Sequence, residues 1–214
     1  MSDGLFAARG LACMRGDRTL FAGLSLELAE GQALHVRGPN GLGKTTLLRA
    51  LCGLSRPARG EVRWRGELIT DLADDFTAEV AYVGHLNGIQ GDLTAGENLE
   101  VARRVFARRT TPPQVVSEAL ERVGLRAIAD RPARYLSQGQ KRRLALARLL
   151  VLRRPLWILD EPFTALDAAS VVGLSALIGE HLAAGGLALI VSHQAFDIPG
   201  IEDFELARYS RTRK

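Results

Sequence analysis

Apolar and polar residues alternate from Leu20 to Leu28 and again from Ala33 to Val36, with Glu30 and Gly31 between the two stretches. Alternation with period two sends successive side chains to opposite faces of a sheet, so two strands joined by a turn are predicted. A glycine-rich segment, Gly38 to Gly43, follows at once. From Lys44 to Leu51 the apolar spacing becomes helical and closes near Gly53. Glu61 to Arg65 and Val80 to Val83 are further strand candidates. Thr94 and Glu97 have the spacing of a capping box before a helix that runs through Phe106. Arg108 to Pro113 breaks that helix, and a second one, Gln114 to Val123, stops at Gly124. Trp157 to Leu159 and Leu187 to Val191 are wholly apolar runs, as expected of strands buried on both faces of a parallel sheet, and Ala168 to Leu182 between them reads as a helix. The alternation of strands and helices gives an α/β core, and the mostly helical middle third reads as an insertion into it. The expected organisation is one domain over residues 1–214, with the core in 1–90 and 155–214 and a helical subdomain over about 91–150.

Length and composition agree with that picture. A chain of 214 residues with 47% hydrophobic residues can bury a sizeable core. Cys13 and Cys52 stand far apart with no CxxC pair or neighbouring histidines, which points away from a disulfide framework or zinc site and towards a reducing compartment. The first ten residues lack the basic start and apolar run of a signal peptide, and no apolar run approaches the roughly 20 residues that span a bilayer. The net charge of +4 raises the question of nucleic acid. The arginines are scattered, however, and no stacking aromatics interleave with them, so no nucleic-acid partner is expected. In the most basic stretch, Lys141 to Arg154, apolar residues recur at helical spacing, and most of its charges read as a solvated helix face.

Three segments carry chemistry. Gly38-Pro39-Asn40-Gly41-Leu42-Gly43-Lys44-Thr45, followed by Thr46, matches the Walker A pattern in full and lies between a predicted strand and helix. Its glycines let backbone N–H groups converge on phosphates, the helix directs its positive end at them, and Lys44 adds a charge for the outer phosphates. Thr45 can ligate Mg²⁺. Beyond the buried strand at Trp157, Asp160 emerges where ligands of open α/β sheets collect and can hold Mg²⁺ directly or through water. Glu161, one residue on, is placed to polarise an attacking water as general base. Asp167 is read both as part of a loop after these acids and as the N-cap of the next helix.

Between these segments lies Leu136-Ser137-Gln138-Gly139-Gln140, and here the chain resembles the ABC ATPase family, whose signature is usually Leu-Ser-Gly-Gly-Gln followed by a basic helix. The resemblance covers nearly the whole chain. It implies a P-loop NTPase core of ABC type with an antiparallel β subdomain and an inserted helical subdomain. It also implies that Ser137, Gln138, Gly139 and Gln140 meet ATP held by the opposite protomer of a head-to-tail homodimer. Ala165-Leu166-Asp167 looks like the loop that passes between protomers, and His193 resembles the switch histidine that senses the γ-phosphate. Two positions depart from the pattern. The adenine-stacking aromatic is replaced at about Arg15, whose guanidinium can stack on a base. The usual glutamine after Ala81-Tyr82-Val83-Gly84 is His85, which can hydrogen-bond or approach the metal with one proton at issue near neutral pH.

Tyr82-Val83-Gly84-His85, Asn87-Gly88-Ile89-Gln90, Thr94 to Leu99, the Leu-Ser-Gln-Gly-Gln signature and Asp160 to Asp167 together resemble the ATPase subunits of bacterial cytochrome c maturation, the CcmA proteins. That resemblance implies an ATPase at the cytoplasmic face of the inner membrane. Its partners would be a multi-spanning, CcmB-like membrane subunit and haem-handling maturation proteins. The chain has no CxxCH, so haem is expected on the complex and not on this subunit. An ABC exporter motor for another substrate would look nearly the same. Soluble ABC ATPases acting on DNA or ribosomes normally carry two cassettes or long coiled coils, and sustained heptads are absent here.

Overall fold

The computed structural model describes residues 5–107 and 111–210. Two antiparallel strands, β1 (Phe6–Arg15) and β2 (Arg18–Leu28), precede β3 (Ala33–Arg37) and helix α1 (Lys44–Leu51). There follow β4 (Arg59–Trp64), β5 (Glu67–Leu68), the single turns α2 (Ile69–Leu72) and α3 (Asp74–Thr77), and β6 (Val80–Val83). Helices α4 (Ala95–Phe106), α5 (Gln114–Arg122) and α6 (Gln138–Leu152) make the middle third. The chain then returns through β7 (Leu156–Asp160), α7 (Ala168–Ala183), β8 (Leu187–Val191) and β9 (Glu202–Glu205).

The strands form two sheets. One is antiparallel, in the order β2-β1-β4-β5, and the other runs β6-β7-β8-β3-β9 with every pairing parallel. Parallel strands share one carboxyl edge, and there the ends of β3, β6, β7 and β8 collect, which is where open α/β sheets gather ligands. β7 and β8 are buried at every position, as their apolar runs require. A core cluster built on Phe6, Phe21, Leu24, Leu47 and Leu51 joins the antiparallel sheet to α1 and to one face of the parallel sheet.

Several strands and helix ends depart from the sequence pattern. β1 escapes a period-two reading because its pairing with β2 shifts register between Ala8 and Leu11 and twice more, each shift moving side chains to the other face. β9 is polar, Glu-Asp-Phe-Glu, on the edge of the parallel sheet. The capping box at Thr94 is formed: Glu97 N–H donates to Thr94 Oγ1 at 3.1 Å, and Thr94 N–H donates to the Glu97 carboxylate at 2.8 Å. Of the predicted break from Arg108 to Pro113, residues 108–110 lie outside the described residues.

The basic stretch requires a correction. Its charges do not form one solvated face: Arg142 and Arg154 are buried, Lys141, Arg143 and Arg148 are half-buried, and Arg153 is exposed. Leu146 and Leu149 pack into the cluster of β7, β8 and α7, whereas Leu144, Ala147 and Val151 pack against α4 and α5. Arg142 is 4% exposed, and Arg154, beyond the helix, 8%. α6 thus packs against both cores as one continuous helix, Gln138–Leu152.

Candidate nucleotide site

At the end of β3 the chain turns through residues 38–43 into α1. Gly43 has φ 101°, and a Cβ there would lie 2.9 Å from Leu20 Cδ1, so this residue needs both the left-handed backbone and the missing side chain. The contact also sets the β1–β2 hairpin against the loop. Arg15 stands exposed at the tip of that hairpin, paired across it with Arg18. Lys44 Nζ donates to Gly38 O at 2.6 Å and to Pro39 O at 3.3 Å. Burial pushes its pKa down, with Glu161 and Asp160 opposing the shift.

Thr45 Oγ1 donates to Asp160 Oδ2 at 2.8 Å, which ties the first turn of α1 to the end of β7. A hydroxyl and a nearly buried carboxylate, 2% exposed, form the hard-oxygen donor set that suits Mg²⁺. Glu161 follows in the left-handed region at φ 52°, a conformation that costs a non-glycine residue on the order of 1–3 kcal/mol and is kept only where surroundings enforce it. Its N–H donates to Val191 O at 2.8 Å. Its carboxylate accepts the His193 N–H at 3.1 Å and lies 3.5 Å from His193 Nε2. The glutamate and the histidine after β8 thus meet at the same edge as the loop.

The remaining predicted residues stand apart. Ser137 caps α6: its Oγ accepts the Gln140 N–H at 3.2 Å, and its own N–H donates to Gln140 Oε1 at 2.8 Å. Gln140 is therefore occupied with the cap, while Ser137 and Gln138 are exposed. Among the described residues no hydrogen bond joins residues 137–140 to residues 38–46. His85 is exposed after β6, and no hydrogen bond joins it to Asp160 or Glu161. Asp167 is the N-cap of α7, accepting the Ser170 N–H at 2.8 Å, and hydrogen bonding from the Ser170 hydroxyl and then its N–H holds the Asp167 carboxyl below the usual range.

Sequence reading missed Arg142. Its guanidinium donates to Pro162 O at 3.1 Å, Gly84 O at 2.8 Å, Asn87 Oδ1 at 3.2 Å, Asp160 O at 2.9 Å and Glu161 O at 2.7 Å. The available signal was the helix itself. Leu144 to Leu152 is apolar but for Arg148 and leaves little polar face, so a charge in the turns before it is a candidate for burial against polar partners.

A phosphate loop, its hydroxyl–carboxylate pair and an adjacent glutamate on one parallel edge, with a separate capped signature helix, define an ATP-binding cassette. Comparison with known proteins agrees. Residues 21–164 match the ABC transporter family. The cytochrome c biogenesis ATP-binding export protein CcmA of Methylococcus capsulatus is 52% identical over 94% of this chain and 96% of its own. That of Dechloromonas aromatica is 49% identical over 91% and 95%. A solved dimeric ATP-binding cassette, described as a post-hydrolysis state bound to ADP and Pi, superposes with a TM-score of 0.79 at 25% identity, covering 88% of each chain. An ABC transporter ATP-binding protein from Pyrococcus furiosus shares the fold, with a TM-score of 0.83 over 96% of this chain and 99% of its own at 24% identity. The chain belongs to the ABC transporter ATP-binding family and, within it, to the CcmA proteins.

Proposed function

We propose that this ABC ATPase is the energy-coupling subunit of a membrane complex for c-type cytochrome biogenesis, working in haem export or in release of a haem chaperone. Near 50% identity to CcmA proteins over most of both chains supports the assignment to that complex. The observation that carries the chemistry is the 2.8 Å bond between Thr45 and Asp160, which joins loop and strand at one point beside Glu161.

In this reading residues 38–46 receive the phosphates of ATP, with backbone N–H groups and Lys44 matched to their charge. Thr45 and Asp160 hold Mg²⁺, which when bound neutralises charge developing on the phosphates. Glu161 takes the proton of the attacking water, and His193, already against that carboxylate, reports the γ-phosphate. Arg15, exposed at the tip of the β1–β2 hairpin, stacks on the base in this reading. Ser137 and Gly139 face the nucleotide of a second copy, in keeping with their separation from this chain's own loop.

The membrane partner is a CcmB-like subunit. Among the described residues no helix is long and apolar enough to cross a membrane, so attachment to the cytoplasmic face of the inner membrane requires docking. Leu86 (84% exposed), Val105 (63%) and Phe106 (58%) are exposed apolar side chains available to such a partner, and His85 precedes Leu86 in the chain. A CcmA-deficient bacterium carrying this chain together with its cognate membrane subunit tests the assignment. Wild type should restore covalently haem-bearing c-type cytochromes and Lys44→Ala should not. Normal ATPase activity with no restoration would reassign the motor to another exporter.

A further inference from the structure

We propose that Arg142 is the positioning residue of the hydrolytic site, fixing the peptide that carries Glu161 and binding it to the loop that carries His85. The inference rests on the reading of Glu161 as general base.

Three consecutive carbonyls, those of Asp160, Glu161 and Pro162, converge on the one guanidinium at 2.9, 2.7 and 3.1 Å. Such convergence is what a left-handed glutamate needs. At φ 52° Glu161 leaves the extended backbone of β7; its carbonyl accepts the Thr164 N–H at 3.2 Å, and Arg142 adds a charged partner. The opposite side of the same fork holds Gly84 O and Asn87 Oδ1, which flank His85 and Leu86. One planar group therefore joins the base to the loop after β6, and only a rigid fork has donors for both sides.

The setting argues against a surface ion pair. Arg142 is almost fully buried and forms no direct bond to a carboxylate, so its charge is met by four carbonyl dipoles and a side-chain amide. Burial lowers its pKa, and the fields of Asp160 and Glu161 oppose that shift. A simpler core would place an apolar residue here, as α6 does at Leu144 and Leu146. The guanidinium also reaches the base from the helix whose N-terminus is capped by Ser137. A displacement of α6 is thereby transmitted to this chain's own Glu161.

Steady-state turnover and nucleotide affinity of the full chain test the proposal in wild type, Arg142→Gln, Arg142→Lys, Glu161→Gln and the double variant Arg142→Gln/Glu161→Gln. Arg142→Gln is expected to lower kcat by roughly 10- to 10²-fold, the scale of misplacing a catalytic group by about an ångström, with ATP affinity unchanged. Arg142→Lys keeps the charge without the fork and should behave as Arg142→Gln does. If Arg142→Gln does not fold, Arg142→Lys alone and combined with Glu161→Gln carries the same comparison. The double variant should turn over no slower than Glu161→Gln alone, because the arginine acts through the glutamate. Full turnover in the Arg142 variants, a parallel loss of ATP affinity, or losses that multiply in the double variant would overturn the proposal. Wild-type turnover in Glu161→Gln overturns the base reading and this proposal with it.

Discussion

Gly139, in the first turn of α6, lies directly against the carbonyl of Ala165: a Cβ on Gly139 would stand 2.8 Å from that oxygen. Ala165 itself is in the left-handed region at φ 65°. The signature and the loop after Glu161, read from sequence as two surfaces meeting a second protomer, are thus pressed together within one chain.

Gly139→Ala should accordingly disturb both at once. Neighbouring backbone has to move to admit the methyl group, and the loop from Glu161 to Asp167 is what stands there. Steady-state ATPase activity is expected to fall by roughly 10- to 10²-fold, while ATP binding by the chain's own loop, untouched by the change, persists. Equal turnover in mutant and wild type would show that the contact relaxes without consequence.

Thr94 offers a contrast in which stability moves and chemistry does not. Thr94→Ala removes the hydroxyl that caps α4 and leaves the Glu97 N–H without its partner. Loss of such a cap costs about 1 kcal/mol, or roughly 2–4 °C in Tm for a chain of this size. Thermal unfolding should show that shift, with ATP affinity at the distant loop unchanged.

The legible parts of the fold were those in which burial and periodicity coincide. β8 throughout and β7 up to its last residue, Asp160, are apolar because both faces are covered, and the capping box at Thr94 and the turn at Gly124 follow local rules of the backbone. β1 was hidden because its register slips, so its buried triplets Phe6 to Ala8 and Leu11 to Cys13 do not alternate. β9 was hidden because an edge strand need not be apolar. In the site, Lys44, Thr45, Asp160 and Glu161 could be picked out because motif spacing encodes them. Arg142 could not be placed, since all but one of its partners are backbone carbonyls, which leave no mark on composition.

The two cysteines give a prediction about pH. Burial pushes both thiols up, Cys52 to about 11 from an ordinary 9.0. An acid whose folded value is raised supports folding fully below the unfolded pKa, and that support is lost as pH climbs towards the folded value. The stability gap between wild type and Cys52→Ala should therefore narrow between about pH 9 and about pH 11. At pH 8 neither buried thiol should react with a disulfide reagent until denaturant is added.

The sharpest test of chemistry and assembly together is Glu161→Gln. Glutamine keeps the shape and an oxygen that can still accept the His193 N–H, now 3.1 Å from the carboxylate, but it cannot take a proton from water. Hydrolysis is expected to fall by roughly 10²- to 10⁴-fold. Binding should survive, because Lys44, Thr45 and Asp160 are unchanged and the bond between the last two does not involve the glutamate. If Ser137 and Gly139 of a second copy close over that nucleotide, the mutant accumulates as a dimer with MgATP, whereas wild type separates after turnover. Sedimentation with and without MgATP measures this. Ser137→Arg, which sets a bulky cation at the exposed cap of α6, should abolish the dimer while leaving each chain's own loop able to bind ATP. A Glu161→Gln chain that binds ATP and stays monomeric would mean that closure needs the membrane subunit; one that hydrolyses at the wild-type rate would place the base elsewhere.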